Sequence, residues 1–188
     1  MYWRLGPAYY RRPHDDNRRD LAARVRRGPP PGLLAFDGDL AVGWCQLTPR
    51  QELVWLERNR VLGRVDDAPV WSLSCFYVRR SHRARGVTHA LIAAAVKEAR
   101  RAGAPAIEAY PVDTDVPGCT RNDFTGQAAT FARHGFEVVA RRKGDRPIMR
   151  RRLRTRATAA LRRSPPPRAP RPRRSPAGSA RRRRASSR

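Results

Sequence analysis

The pattern of apolar and polar residues predicts a strand, a turn and a helix in the middle of the chain. Trp71–Val78 (WSLSCFYV) is β-branched, aromatic and close to alternating, which is typical of a β-strand. From residue 88 to residue 103, apolar side chains recur at helical spacing, and Gly103 can end the helix. The residues between them are mostly polar and rich in arginine, so they predict a connecting turn.

Similar patterns on both sides of this unit predict further elements. Residues 17–27 fit a helix with Asn17 as its N-cap, and two apolar runs around Asp37-Gly38-Asp39 predict a β-hairpin. Residues 49–69 predict an extra helix, a lid over a substrate site or a simple packing segment. Downstream, the pattern predicts a strand over 106–112, a helix over 125–134, a strand from Phe136 and a last strand over 147–153.

The turn before the central helix has the chemistry of an anion-binding site. The first amides of a helix have no partner within it and the helix dipole is positive there, so residues 85–89 would point N–H groups at an anion. Gly86 allows a positive φ or a close backbone approach. Arg83, Arg85 and His82 would add charge-assisted contacts to phosphate oxygens. An ordinary basic loop that caps a helix explains the same pattern, so both interpretations stay open.

The same residues resemble motif A of the GNAT superfamily of N-acetyltransferases. In that family a strand ending in Val is followed by Arg/Gln-x-x-Gly-x-Gly/Ala. Residues 83–88 (RARGVT) occupy these six positions, and Leu91 has the usual aliphatic place in the helix. Thr88 departs from the pattern, because Gly or Ala is usual there, although its hydroxyl could itself bond a phosphate. The resemblance implies that the turn binds acetyl-CoA.

The resemblance also implies which residues hold acetyl-CoA. Backbone groups at the end of the strand would bond the pantetheine arm, and the turn amides would hold the pyrophosphate. The implied cofactor-binding residues are Phe76, Tyr77, Val78, Arg83, Ala84, Arg85, Gly86, Val87, Thr88 and His89.

The order of the predicted elements across residues 17–153 is similar to that of the GNAT family. The implied fold is α/β (α+β), with a mixed, largely antiparallel central sheet and flanking helices, in a domain of residues 1–153. An Ala-x-x-Phe and Gly-Phe pattern in residues 128–136 strengthens the resemblance. The family usually opens with one more strand, which residues 1–6 could supply whole or as a remnant.

Acetyl transfer to an amine requires a neutral nucleophile, a polarised thioester carbonyl and a proton for the leaving thiolate. An amide near Phe76 or Tyr77 would polarise the carbonyl. The tyrosine that often protonates the thiolate in the family corresponds to Phe131, which has no proton to give. Tyr110 and Tyr77 are therefore the candidates in its place, although a tyrosine in a half-buried strand more often only packs.

Carboxylates near the strand ends are the candidates for the general base. Glu108, Asp113 and Asp115 lie along or just after the strand over 106–112, and Glu52 and Glu57 lie in the possible lid. Acids in such loops more often only aid solubility, and that alternative stays open. The catalytic candidates are Tyr110, Asp113 and Glu108.

Charge separates the chain into a domain and a tail. The net charge is +25, and residues 154–188 contain 13 Arg, 6 Pro and no acidic residue, so this segment is predicted to be disordered. Residues 1–153 keep 28 basic and 16 acidic residues, about +12. Arginines attract any polyphosphate, but the tail has no aromatic residue for base stacking. Only non-specific contact of the tail with nucleic acid is therefore expected.

Cysteine usage and hydropathy predict a cytoplasmic protein. The chain has an odd number of cysteines, namely Cys45, Cys75 and Cys119, which favours a reducing compartment. They have neither paired spacing nor nearby histidines, which argues against a metal site. The chain has no apolar run of about 18 residues, and its N-terminus lacks the apolar core of a signal peptide. No contact with a membrane is expected.

Two functions fit these observations. The first is an acetyl-CoA-dependent N-acetyltransferase in which an amine of a small molecule or a protein attacks the acetyl group directly. The alternative is a non-catalytic GNAT-fold protein that binds CoA or a partner without turnover. Thr88, Phe131 and the short N-terminal segment favour this alternative.

Deleting residues 154–188 is expected to leave the melting temperature and the affinity for acetyl-CoA nearly unchanged, because a segment without a core contributes no packing to the domain. Thermal unfolding and calorimetric titration of the full and shortened chains measure the two quantities. A shortened chain that no longer folds would contradict the predicted disorder.

Overall fold

A computed structural model describes residues 2–119 and 123–153, and a six-stranded sheet forms its centre. The strands are β1 (Gly32–Asp37), β2 (Leu40–Pro49), β3 (Trp71–Val78), β4 (Ala106–Ala109), β5 (Glu137–Ala140) and β6 (Ile148–Arg152). Their order is β1-β2-β3-β4-β6-β5, and of the neighbouring pairs described only β3 and β4 are parallel. The predicted mixed, largely antiparallel sheet is confirmed. The predicted tail, residues 154–188, lies outside the described residues.

Helices flank this sheet, and one of them forms most of the core with it. In the described part of the chain they are α1 (Tyr2–Leu5), α2 (Ala8–Arg11), α3 (His14–Arg27), α4 (Val54–Glu57), α5 (Val87–Arg101) and α6 (Ala128–Arg133). The apolar face of α5 buries Leu91, Ile92, Ala95, Val96 and Ala99. These side chains belong to one cluster with Cys45, Leu47, Leu73, Phe76 and Phe131. Burial of each large apolar side chain stabilises the fold by about 1.5–3 kcal/mol.

The elements with the strongest periodicity lie where the pattern predicts them. β3 has the predicted bounds, and α5 begins one residue before the predicted start and ends two residues before the predicted end. The predicted hairpin joins β1 and β2, and Gly38 takes a φ of 57° in its turn. These segments carry enough local information to define their own conformation.

Shorter elements depart from their predicted bounds. The strand predicted over 106–112 ends at Ala109, because Pro111 has no N–H to donate and the chain leaves the sheet there. The helix predicted over 125–134 begins only at Ala128. Asp123–Thr125 forms a 3-10 turn, and Gly126 then takes a φ of 76°, which a continuing helix does not allow.

The N-terminal segment contradicts two expectations. Residues 2–5 form α1, so the predicted opening strand is wrong. The segment packs through side chains instead: Trp3 Nε1 donates to the Ser74 carbonyl (3.2 Å), and the Trp3 ring lies 6.5 Å from that of Tyr110. Asn17 is not an N-cap, because α3 already begins at His14. Asn17 lies inside α3, and its buried side chain donates to the Tyr9 carbonyl (3.0 Å).

Residues 50–66 form a packing segment, one of the three alternatives that the sequence left open. Arg50–Glu52 is a 3-10 turn, and α4 follows with a single helical turn. Leu53, Leu56 and Leu62 are buried in a second cluster together with Tyr110 and Ile148. The segment therefore covers the side of the sheet near β4 and β6.

A buried ion cluster fixes this segment to β4 and β6. Arg50 Nη1 donates to Glu108 Oε2 (2.9 Å) and to the Tyr110 hydroxyl (2.7 Å), and Arg50 Nη2 donates to the Leu62 carbonyl (2.8 Å). Arg150 binds the other oxygen of Glu108 through Nε (2.9 Å) and Nη2 (2.6 Å). Glu108 is 1% exposed, so the two guanidinium groups supply the charge that its burial requires.

Tyr110 completes the cluster from the same strand end. Its hydroxyl donates to Glu108 Oε2 (3.1 Å) and its ring is fully buried. Burial, together with the neighbouring Glu108 carboxylate, raises the pKa of the Tyr110 hydroxyl above its ordinary value. The hydroxyl therefore stays protonated and acts as a fixed hydrogen-bond donor.

Glu108→Gln is expected to lower the free energy of unfolding by about 3 kcal/mol, because it takes the shared counter-charge from buried Arg50 and half-buried Arg150 and leaves each with one other carboxylate, Glu57 and Asp66. Urea denaturation at neutral pH measures the change. Glu98→Gln is the matched control, since Glu98 pairs with Arg101 on the surface of α5 and its removal should leave the denaturation midpoint nearly unchanged. A Glu108→Gln protein with wild-type stability would contradict the structural role of Glu108.

Candidate functional site

A cleft opens where β3 and β4 separate. The two strands pair only from Trp71↔Ile107 to Leu73↔Ala109, whereas β3 continues beside β2 as far as Val78. The register of β2 and β3 shifts by one residue here, so Ser74 is an extra residue that forms a β-bulge at the point of separation. A cleft of about 890 Å³ lies beside the remaining end of β3.

The backbone of Phe76 and Val78 faces the open side of β3. The Arg79 amide donates to the Val42 carbonyl (2.9 Å). In an antiparallel pair, hydrogen-bonded and non-hydrogen-bonded positions alternate, so Tyr77, two residues earlier, also bonds to β2. Phe76 and Val78 lie between these positions and present their N–H and C=O groups on the opposite side. Arg83 Nε donates to the Val78 carbonyl (3.3 Å), which agrees with this orientation.

The turn after β3 brings the N-terminus of α5 to the same cleft. Ala84 (φ 59°) and Gly86 (φ 79°) take left-handed conformations, which make the turn tight. The first hydrogen bond of α5 runs from the Ala90 amide to the Gly86 carbonyl (3.0 Å), so the amides at residues 87–89 have no acceptor within the helix. Free amides at the positive end of a helix dipole suit an anion, so this turn has the geometry that an anion-binding site requires.

Arg83 supplies the fixed positive charge of the cleft within the described residues. Arg83, His82 and His89 line it, and none of its lining residues in the described ranges is an aspartate or a glutamate. His82 Nε2 lies 3.3 Å from Asp37 Oδ2, so this ring is held against the β1–β2 hairpin. The cleft therefore favours an anionic ligand at its turn.

Comparison with known proteins identifies the family. The sequence model of the acetyltransferase (GNAT) family matches residues 1–136. The chain belongs to this family. Its members are generally N-acetyltransferases that act on amine acceptors. A search of curated proteins finds no match.

Solved structures agree with a GNAT fold. One acetyltransferase is 19% identical with a TM-score of 0.53, and the alignment covers 79% of this chain and 86% of that one. PaiA N-acetyltransferase of Thermoplasma acidophilum, solved with coenzyme A, is 15% identical with a TM-score of 0.49 (coverage 74% and 72%). A ribosomal-protein-alanine N-acetyltransferase of Brucella melitensis is 21% identical with a TM-score of 0.49 (74% and 78%). The acetyltransferase with a TM-score of 0.53 supports the fold alone.

The GNAT cofactor residues predicted from the sequence surround the cleft, with one exception. Nine of the ten line it, namely Phe76, Tyr77, Val78, Arg83, Ala84, Gly86, Val87, Thr88 and His89. Arg85 is exposed and does not line the cleft. The binding of acetyl-CoA by these residues stays a prediction.

The three catalytic candidates do not line the cleft. Glu108 and Tyr110 are held in the buried ion cluster on the other side of the strand separation. Asp113 accepts a hydrogen bond from Arg141 Nη2 (2.8 Å), and its other oxygen accepts from the Asp115 amide (3.3 Å). The geometry therefore assigns structural contacts to all three residues and supports none of them as acid or base.

The acidic residues of the predicted lid are also paired with arginines. Glu52 bonds to Arg4 (3.2 Å) and forms an ion pair with Arg24. Glu57 forms ion pairs with Arg50 (2.6 Å) and Arg64 (3.0 Å). No residue from 50 to 69, all of which are described, lines the cleft, so the structure supports a packing role for this segment and gives no support to a lid.

Phe131 occupies the place of the family's tyrosine and serves only in packing. It is fully buried, with its ring 5.9 Å from that of Phe76 and 5.1 Å from that of Phe136. Gly126 passes so close that an added Cβ would lie 3.0 Å from the Phe131 ring.

Sequence reasoning missed five residues that line the cleft, namely Tyr10, Phe124, Gly126, Gln127 and Thr130. Gly126 had a local signal, since a glycine before a helical pattern indicates a turn. Tyr10 had none, because α2 reaches the cleft only through the packing of the N-terminal helices on the sheet. No periodicity encodes that contact.

Two histidines meet at the edge of the cleft. His89 Nδ1 of α5 lies 3.0 Å from His134 Nε2, which follows α6, and the ring centres are 5.2 Å apart. Burial, with additional repulsion from His89 and Arg151, lowers the pKa of His134 below its ordinary value of 6.5. The pair therefore links α5 to the residue after α6, in surroundings that disfavour the charged form of His134.

Two further observations limit the chemistry of the described residues. None of their helices combines the length and apolar character needed to cross a membrane, and no group of three or more His, Cys, Asp or Glu side chains is placed to hold a metal. Burial raises the pKa of Cys45 to about 12, and that of Cys75 also rises because of burial. Neither thiol is a ready nucleophile. The cytoplasmic location stays a prediction.

Protonation of His134 is expected to destabilise the fold. The unfolded chain binds this proton with the ordinary pKa of 6.5 and the folded chain with a lower one, so the contribution of His134 is complete above pH 6.5 and is lost as the pH falls through the folded-state pKa. Urea denaturation across this range should show a smaller loss of stability for His134→Gln than for the wild type. His14→Gln, at an exposed histidine, is the control and should keep the wild-type pH dependence. Identical curves for His134→Gln and the wild type would contradict the assignment.

Proposed function

We propose that the chain is an acetyl-CoA-dependent N-acetyltransferase in which an amine attacks the acetyl group directly. The observation that carries this proposal is the meeting of two features at one cleft: the N-terminus of α5 and the open edge of β3. The first suits the phosphates of CoA, and the second suits its amide-containing arm. Membership of the acetyltransferase family supports the same reading.

The turn would hold the pyrophosphate of acetyl-CoA. The amides at residues 87–89 and the side chain of Arg83 supply donors and positive charge. Hydrogen bonds to a charged group contribute about 1.5–3 kcal/mol each, so a few of them would account for firm binding of a polyphosphate. Thr88 lines the cleft, and its hydroxyl can add one more donor.

The open edge of β3 would bind the pantetheine arm in the manner of an added strand. The Phe76 C=O and the Val78 N–H, which point away from β2, match the amide groups of that arm. Acetyl-CoA then supplies the acyl group as an activated thioester. The Phe76 amide is better placed than that of Tyr77 to donate to the thioester oxygen, because Tyr77 is paired with Trp44 of β2.

A proton donor for the departing sulfur is available in one of the two tyrosines considered from the sequence. Tyr77 lines the cleft, whereas Tyr110 is buried in the ion cluster. We assign the proton transfer to Tyr77 and leave Tyr110 its structural role.

A non-catalytic CoA-binding protein is the second candidate function. Phe131 has no hydroxyl, and no acidic residue lines the part of the cleft that is described. Binding of acetyl-CoA without thiol release on any amine would favour this candidate.

Gly86→Glu is expected to weaken acetyl-CoA binding by at least about tenfold, because it places a carboxylate beside the amides that would hold the pyrophosphate. Calorimetric titration measures the dissociation constant, and a thiol-release assay measures turnover. Gly103→Glu is the matched control: both glycines have open space at the Cβ position, and their φ values are 79° and 78°. The two variants should have similar stability, and only the first should lose affinity. An unchanged dissociation constant for Gly86→Glu would refute the site.

A further inference from the structure

One part of the cleft is formed by exposed aromatic side chains. Tyr10 of α2, Tyr77 of β3 and Phe124 of the 3-10 turn all line it. Their exposed fractions are 76%, 53% and 61%. Large aromatic side chains usually bury most of their surface, so three exposed ones from separate elements at one cleft indicate a surface for a flat, apolar group.

The charge of the cleft argues against a cationic acceptor. Its lining within the described ranges contains Arg83, His82 and His89 and no carboxylate. A protonated alkyl amine would meet no counter-charge there. The five carboxylates considered as bases from the sequence lie outside the cleft, and four of them are bonded to arginines: Glu52, Glu57, Glu108 and Asp113.

We propose that the acceptor is an aromatic amine, in which the nitrogen lone pair is delocalised into the ring. Such an amine is neutral at neutral pH, so it can attack without a general base. Its ring would stack on the surface of Tyr10 and Phe124. This inference rests on the proposed N-acetyltransferase function and names the substrate class of the same site.

The reaction balances without any further reactant. The amine nitrogen attacks the carbonyl carbon of the thioester, a C–N bond forms and the C–S bond breaks. The proton that the nitrogen loses ends on the departing sulfur. The products are an N-aryl acetamide and the free thiol of CoA, and no atom is oxidised or reduced.

A comparison of three amines distinguishes the effect of the charge on the nitrogen from the effect of an aromatic ring. Aniline is aromatic and neutral, cyclohexylamine is a protonated ring of similar size, and benzylamine combines an aromatic ring with a protonated nitrogen. With the full-length protein and acetyl-CoA, thiol release should give kcat/KM for aniline at least about tenfold above the other two amines. An equal or higher value for benzylamine or cyclohexylamine would overturn the proposed substrate class.

Variants of the aromatic surface test the binding mode. Phe124→Ala and Tyr10→Ala should each raise KM for aniline by about tenfold, as expected for the loss of an aromatic stacking contact. Phe36→Ala is the matched control, because Phe36 is 59% exposed on β1 and does not line the cleft. Unchanged KM in both cleft variants would contradict the stacking. Circular dichroism and the acetyl-CoA affinity of each variant separate loss of substrate binding from loss of fold.

The same experiments distinguish this inference from the function on which it rests. Failure to bind acetyl-CoA in calorimetry would refute the proposed function and this inference together. Binding of acetyl-CoA with no turnover of any of the three amines would refute the substrate class and leave the donor site intact.

Discussion

The separation of β3 from β4 after Leu73 is the constraint on which the rest of the site depends. Strands that stay paired bond to each other, so a site for an extended ligand requires a strand end whose inner edge is open. The bulge at Ser74 creates that edge, and the Trp3 indole satisfies the Ser74 carbonyl at the point of separation. Beyond it, the backbone groups of Phe76 and Val78 are available to a ligand.

The buried ion cluster lies where β3 and β4 are still paired. Glu108 lies opposite Ser72, one pair before the last paired residues, and it receives Arg50 from one direction and Arg150 from the other. Breaking that cluster would release β4 beside the point where it separates from β3. The carboxylates nearest to the separation are therefore engaged in the fold, and this leaves the cleft without them.

The arginines of this chain have two different roles, which composition cannot distinguish. Arg50 is buried and Arg150 is half-buried, and both are bound to carboxylates. Arg83 contacts a backbone carbonyl at the edge of the cleft and keeps donors for an anion. The difference arises from the surroundings of each guanidinium group. The +25 net charge of the whole chain therefore indicates little about the cleft itself.

The sequence by itself determined the features that depend on neighbours in the chain. The periodicity of β3 and α5 and the glycine between them define a strand, a tight turn and a helix N-terminus, because backbone sterics and helix hydrogen bonding act over a few residues. Only the tertiary structure decided the direction of the side chains at the end of β4. Glu108 and Tyr110 look like catalytic residues after a strand, yet both bond to Arg50, 58 and 60 residues away. It also brought Tyr10 to the cleft, because contacts between distant segments depend on packing that no local pattern contains.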